Sequence, residues 1–132
     1  MIISGHTRLI AHLGYPTASF KAPMIYNPWL AHCEADVKVV PMGVKPEDYA
    51  ALVPALFSMT NIVGALVTMP HKMATCGLVD QLSPTAAIAG ACNAIRREAD
   101  GSLRGVGHCI LGYAEDTLPE PKPRRDNVVY VR

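Results

Sequence analysis

What this sequence lacks narrows the field before any motif is weighed. Its 132 residues carry no block of like charge and a net charge of +1. That removes the basic footprint of a nucleic-acid binder, and no nucleic-acid motif is present. No apolar run approaches the roughly 20 residues needed to cross a bilayer. The opening Met1-Ile2-Ile3-Ser4-Gly5-His6 has neither the basic start nor the long apolar stretch of a secretory signal. A cytoplasmic chain with no membrane partner is therefore expected. Cys33, Cys76, Cys92 and Cys109 stand far apart without a Cys-x-x-Cys pair, and a reducing compartment keeps such cysteines as thiols. The five histidines show no ligand spacing, so no metal site is expected. No Gly-x-Gly-x-x-Gly follows a strand and opens a helix: Gly105-x-Gly107 with Gly112 lacks the third glycine in place.

What is present is an ordinary globular composition, half of it hydrophobic and 17% charged, at a length that fits one domain. Thr7 to Leu13 reads as a strand broken by Gly14-Tyr15-Pro16. Pro23 suits the first turn of a helix running to about Cys33, with Met24, Ile25, Trp29 and Leu30 as its apolar stripe. Val37 to Pro41 reads as a second strand. Pro46-Glu47-Asp48 then places a proline and two acids in a helix first turn, followed by Tyr49, Leu52, Val53, Leu56 and Phe57 on one face. Ile62 to Thr68 is a third strand, short and free of charge. This β-α-β-α-β alternation predicts an α/β domain with a mainly parallel sheet in a three-layer α/β/α arrangement. Short helices are expected at His71 to Cys76 and at Pro84 to Ala89. Asp100-Gly101 between two strand-like runs predicts a terminal β-hairpin.

The chain is organised around Val67-Thr68-Met69-Pro70-His71-Lys72. Pro70 stops the ladder, so a hydroxyl and an ammonium sit where the third strand ends, the usual edge of a ligand crevice in open α/β sheets. From Tyr113 to Arg132 the character changes: these twenty residues include eight charges and Pro119, Pro121 and Pro123. The expected division is a folded domain over 1–112 and an extended, poorly ordered strip over 113–132.

Several stretches, at matching order and spacing, resemble the substrate-binding domain of the shikimate dehydrogenase family, which includes quinate/shikimate dehydrogenases. Gly14-Tyr15-Pro16 with Pro23 and Asn27 is similar to the family's opening motif. Gly64 to Lys72 (GALVTMPHK) resembles its G-x-N-V-T-x-P-x-K, Gly90-Ala91-Cys92-Asn93 its G-A-x-N, and Asp100 to Gly105 its D-G-x-L-x-G. The resemblance implies an α/β domain that holds a cyclohexene carboxylate such as shikimate or quinate, and a separate Rossmann domain, absent from this chain, that carries NADP. It implies Lys72 as the lysine that handles the hydroxyl proton, with Thr68 and Asn93 bonding the substrate hydroxyls.

The departures from the family pattern are specific. Its Ser-x-Ser, which grips the carboxylate, falls on Phe20-Lys21-Ala22, so Lys21 is left to supply a positive charge. Its Asn before Val-Thr is Leu66. Its Asn-Thr-Asp falls on Gly107-His108-Cys109, and a thiol at its ordinary pKa does not replace a carboxylate. The expectation is a truncated substrate-binding domain, with Lys21, Thr68, Lys72, Asn93 and Cys109 at its site, that does not turn over alone. The alternatives are a non-catalytic small-molecule binding module and an interaction protein that forms a homodimer through surface normally covered by the missing domain.

Overall fold

A computed structural model of the chain describes residues 2–108. Cys109 and the proline-rich stretch 113–132 lie outside the described residues. Three parallel strands form one side of the sheet: β1 (Arg8–Gly14), β2 (Val37–Gly43) and β3 (Ile62–Val67). Helix α1 (Ala22–His32) joins β1 to β2, and α2 (Pro46–Phe57) joins β2 to β3. After β3 come a 3-10 turn over Ala74–Gly77, the two-residue β4 (Gln81–Leu82), α3 (Pro84–Ala89), β5 (Ala94–Arg97) and β6 (Leu103–Val106). The sheet order is β2-β1-β3-β5-β6-β4. Strands β1/β2, β1/β3 and β4/β6 pair in parallel, whereas β5 is antiparallel to β3 and to β6. The expected hairpin is thus β5–β6, and the sheet is mixed, with parallel pairs in the majority.

Helix α2 follows its sequence logic. Its proline and two acids occupy the first turn, where no N–H is lost and the helix dipole favours negative charge. Tyr49, Val53 and Leu56 are buried, with Leu52 and Phe57 packed beside them against Ala11, Leu13, Ile62, Ala65, Val67 and Ile95. Each fully buried aliphatic side chain of this kind contributes about 2 kcal/mol. Arg97 of β5 donates to the carbonyls of Phe57 and Met59, neutralising the C-terminal end of the helix.

Helix α1 departs from the expected packing. None of its residues is buried, and Met24, Ile25 and Trp29 of the expected apolar stripe are exposed. What fixes it is polar: the Asn27 side chain donates to the Val39 carbonyl at 2.9 Å and accepts from the Val39 amide at 2.8 Å. The expected helix at His71 to Cys76 is also replaced, by a turn and the 3-10 segment. His71 N–H bonds the Thr68 carbonyl at 3.0 Å and Cys76 N–H the Met73 carbonyl at 3.2 Å, three-residue closures that do not propagate an α-helix. Among the described residues no helix is long and apolar enough to cross a membrane, and no group of three or more His, Cys, Asp or Glu could hold a metal ion.

Candidate functional site

The three parallel strands end together. Beyond Gly14 the Tyr15 amide bonds the Met69 carbonyl (3.1 Å), the Thr68 amide bonds the Leu13 carbonyl (2.9 Å), and the Val44 amide bonds the Gly14 carbonyl (3.1 Å). This is the carboxyl edge of the sheet, where open α/β folds hold their ligands. Gly14 is required here by close approach: a Cβ would lie 2.4 Å from Thr68 Cγ2, 2.7 Å from Phe20 Cζ and 2.9 Å from the Met69 carbonyl oxygen. The β1–α1 loop is thereby laid against the end of β3.

Between them opens a cleft of about 320 Å³ lined by His12, Tyr15, Pro16, Ser19, Phe20, Lys21, Thr68 and Met69. Two residues singled out from the sequence meet in it. Thr68 is half-buried and Lys21, at the N-cap of α1, is exposed. A larger depression of about 470 Å³ adjoins it through Tyr15 and Pro16, with exposed Lys45 and Asp48 in its lining. None of the expected site residues reaches that depression, so the smaller cleft is the better candidate.

Lys72 and Asn93 lie outside that lining, on a neighbouring support. The Lys72 carbonyl accepts from the Cys92 amide at 2.8 Å. Asn93 donates its backbone N–H to Val106 and accepts from Val67 N–H, at 2.8 and 2.7 Å. Its Oδ1 takes the His108 amide at 3.0 Å, leaving its Nδ2 group without a partner among the described residues. Asn93 thus stitches β3, β6 and the end of the described chain together, and any ligand contact it makes comes through Nδ2. The Gly-Ala-Cys-Asn segment has a structural reason as well. Ser83 caps α3 by accepting from Ala86 N–H, and Gly90 ends the same helix with φ 61°, a conformation that suits glycine.

The residue before Lys72 is held by a buried polar network. The His71 ring stacks on Tyr49 with centroids 3.9 Å apart and an interplanar angle of 3°. His71 Nε2 is 2.8 Å from the Val44 carbonyl. Thr75 Oγ1 donates to the His71 carbonyl at 2.8 Å and lies 2.7 Å from the Tyr49 hydroxyl. Burial holds that phenol above its ordinary pKa. Behind Lys72, Cys76 and Cys92 face each other at 3.6 Å between sulfurs. Burial first, then the Cys76 hydrogen bond, pushes the Cys92 thiol up to about 12, so it is neutral and inert at physiological pH.

His12, which lines the same cleft, was not singled out from the sequence. It is 7% exposed, stacks on Phe20 with ring centroids 4.2 Å apart, and has an Nδ1 with no hydrogen-bond partner among the described residues. The available signal was a lone histidine inside the apolar run Leu9 to Leu13.

An α/β domain with a cleft at the carboxyl ends of its parallel strands has the form of a small-molecule binding domain. The chain belongs to the shikimate dehydrogenase substrate binding domain family, whose model matches residues 13–95. It is 40% identical over 95 residues to the NADP(+) shikimate dehydrogenase of Acidiphilium cryptum, covering 72% of this chain and 34% of that protein. It is 38% identical over 129 residues to the enzyme of the same name from Geobacter metallireducens, covering 95% of this chain and 44% of that protein. Among solved structures, it is similar to shikimate 5-dehydrogenase from Listeria monocytogenes in complex with shikimate and NAD. That likeness has a TM-score of 0.74 at 31% identity and covers 79% of this chain and 35% of the other. The chain therefore spans less than half the length of these relatives.

Proposed function

We propose that this chain holds a small ring carboxylate such as shikimate or quinate for an NADP-dependent oxidoreductase reaction, acting in the cytoplasm. The observation that carries the reading is the Thr68-to-Lys72 segment at the carboxyl end of β3, opposite the Gly14-to-Lys21 loop, in a chain of this family. Thr68 and Lys21 contact the ligand from the cleft. Asn93 offers its Nδ2 group, and Lys72 takes the proton of the reacting hydroxyl. Cys109 stands at the sequence position matched to the family's aspartate, outside the described residues.

The relatives' names carry NADP(+), which supplies hydride chemistry when bound. The described residues do not fit a dinucleotide: no glycine-rich strand-to-helix turn among them would cradle a pyrophosphate. Under this reading they hold the ring acid, and a Rossmann domain outside them holds the nucleotide. The three-layer arrangement belongs to the same reading. It is supported by the strand order β2-β1-β3: the chain steps one way through α1 and back the other way through α2, and right-handed crossovers in opposite directions put their helices on opposite faces.

Calorimetric titration of shikimate and quinate into the chain, and into Thr68→Val and Lys72→Met, tests the proposal. Saturable binding that weakens at least fivefold in each variant is expected. Lys72 has no ion pair among the described residues, so Lys72→Met should keep its unfolding temperature. Absence of binding to the unaltered chain would remove the reading.

A further inference from the structure

We propose that His12 determines the specificity of the cleft: its imidazole donates a hydrogen bond to the carboxylate of a small ligand, Lys21 adds positive charge at the rim, and Phe20 packs against the ligand's apolar body. This rests on the small-molecule reading above and assigns the group that reads the ligand's charge.

Three observations carry it. The first is chemical balance. Every side chain in the lining that bears a polar hydrogen-bonding group is able to donate (His12, Tyr15, Ser19, Lys21, Thr68), and none is acidic. A cleft with donors on all sides and no negative charge favours an anion, and a carboxylate accepts several such bonds at once.

The second is the state of His12 itself. It is more than nine-tenths buried, yet it lines the cleft. A buried polar atom is normally hydrogen-bonded, and Nδ1 is not. Desolvation keeps the ring neutral. With no acceptor near Nδ1, the proton belongs on Nε2, because a bare lone pair is a less costly orphan than a bare N–H. Nε2–H is then the ring's one donor, and no acceptor among the described residues takes it, which leaves it to a ligand in the cleft that His12 lines.

The third is rigidity. Phe20 stacks on the ring at 4.2 Å with 29° between planes. The Leu13 carbonyl, one residue along, is tied to Thr68 N–H, and Gly14 leaves no space for the loop to shift inward. A donor fixed in this way loses little freedom on binding, which is the condition for discrimination instead of mere adhesion.

The experiment compares shikimate with its methyl ester, which keeps the ring and hydroxyls and loses the charge. Binding is measured by calorimetry on the full chain, on His12→Phe, which preserves the stack and removes the nitrogens, and on the exposed Lys21→Gln. The unaltered chain is expected to prefer the acid by at least tenfold. His12→Phe should reduce that preference to threefold or less, the acid losing more affinity than the ester, and Lys21→Gln should reduce it about threefold. A histidine that only packs would lower the unfolding temperature and weaken both ligands alike. Full preference retained in His12→Phe, or equal binding of acid and ester by the unaltered chain, would overturn the assignment while the proposed function stands. If His12→Phe does not fold, unchanged preference in Lys21→Gln overturns the charge reading. No binding of either ligand to the unaltered chain would instead defeat the proposed function.

Discussion

Replacing Thr75 by Val should destabilise the domain more than replacing Tyr49 by Phe, although both delete the same hydrogen bond. The two hydroxyls lie 2.7 Å apart, both buried, and Thr75 Oγ1 also donates to the His71 carbonyl. A hydroxyl has one proton, so the Tyr49 hydroxyl is the donor of the pair. Tyr49→Phe removes that donor and leaves Thr75 bonded to His71, at a cost of about 1 kcal/mol, the net worth of a neutral hydrogen bond. Thr75→Val removes the acceptor and strands a phenol O–H away from water, for about 2 to 4 kcal/mol with the His71 bond included. The His71 carbonyl keeps its backbone partner, Thr75 N–H at 3.0 Å, so it adds no orphan of its own. In the double variant the stranded phenol is gone, and the cost should fall below the sum of the two single costs. Urea unfolding followed by circular dichroism measures this, provided the slope is unchanged and only the midpoint moves. Additive costs, or a larger cost for Tyr49→Phe, would refute the donor assignment. There is also a pH signature. The folded-state pKa of Tyr49 is raised by burial, so its contribution is full below the ordinary tyrosine value of about 10 and is lost as pH rises through the raised value. Tyr49→Phe should remove that part of the alkaline decline.

Three further outcomes are expected. Gly14→Ala forces a Cβ to 2.4 Å from Thr68 Cγ2 and 2.9 Å from the Met69 backbone oxygen; a loss of about 1 to 3 kcal/mol by urea unfolding is expected, together with weakened ligand binding. Asn27→Ala leaves both the N–H and the C=O of Val39 without their partner, which should cost about 2 kcal/mol and show as faster hydrogen exchange at the Val39 amide. The His12 pKa is lowered by burial, so its contribution is present above the ordinary histidine value of about 6.5 and is lost as pH falls through the lowered value; the thermal midpoint of His12→Phe should decline less between pH 7 and 5 than that of the unaltered chain.

Most of the scaffold was legible because its signals are local. The prolines, acids and apolar face of α2 lie within twelve residues, and the charge-free run of β3 needed no partner to be read. The same locality explains the failures. The stripe Met24, Ile25, Trp29 looks identical whether it faces a core or the surface, and here Met24, Ile25 and Trp29 are exposed, because α1 is held by one asparagine bonded to Val39. The two-residue β4 pairs in parallel with β6, Gln81 beside Arg104, and is too short to show any period. Thr68 and Lys21, which line the cleft, were singled out from the sequence because one sits in the Val-Thr-x-Pro-x-Lys stretch and the other where Ser-x-Ser is missing. His12 was not, since its meaning comes from Phe20, eight positions later in the chain and stacked on it in space.

Two of the three stretches where this chain departs from the family's pattern lie together; the third, Gly107-His108-Cys109, follows β6 and reaches the limit of the described residues. Phe20, standing where the first serine of the carboxylate grip would be, stacks on His12. Leu66, standing where an asparagine would be, is the register partner of His12 on the neighbouring strand, and partners in register present their side chains to the same face. Lys21 and Ala22 follow Phe20 directly. The residues that keep the pattern do a different job: Gly14 permits the close approach of β1's end to Thr68, Asn27 anchors α1, Gly90 ends α3, and Asn93 ties β3 to β6. Phe20 and Leu66 meet at one imidazole and leave the supports of Thr68 and Lys72 in place. Under the assignment of His12 proposed above, this is a binding wall rebuilt around a different donor: two small hydroxyl-bearing positions give way to an aromatic ring and an alanine, and the hydrogen-bonding duty passes to His12 on β1.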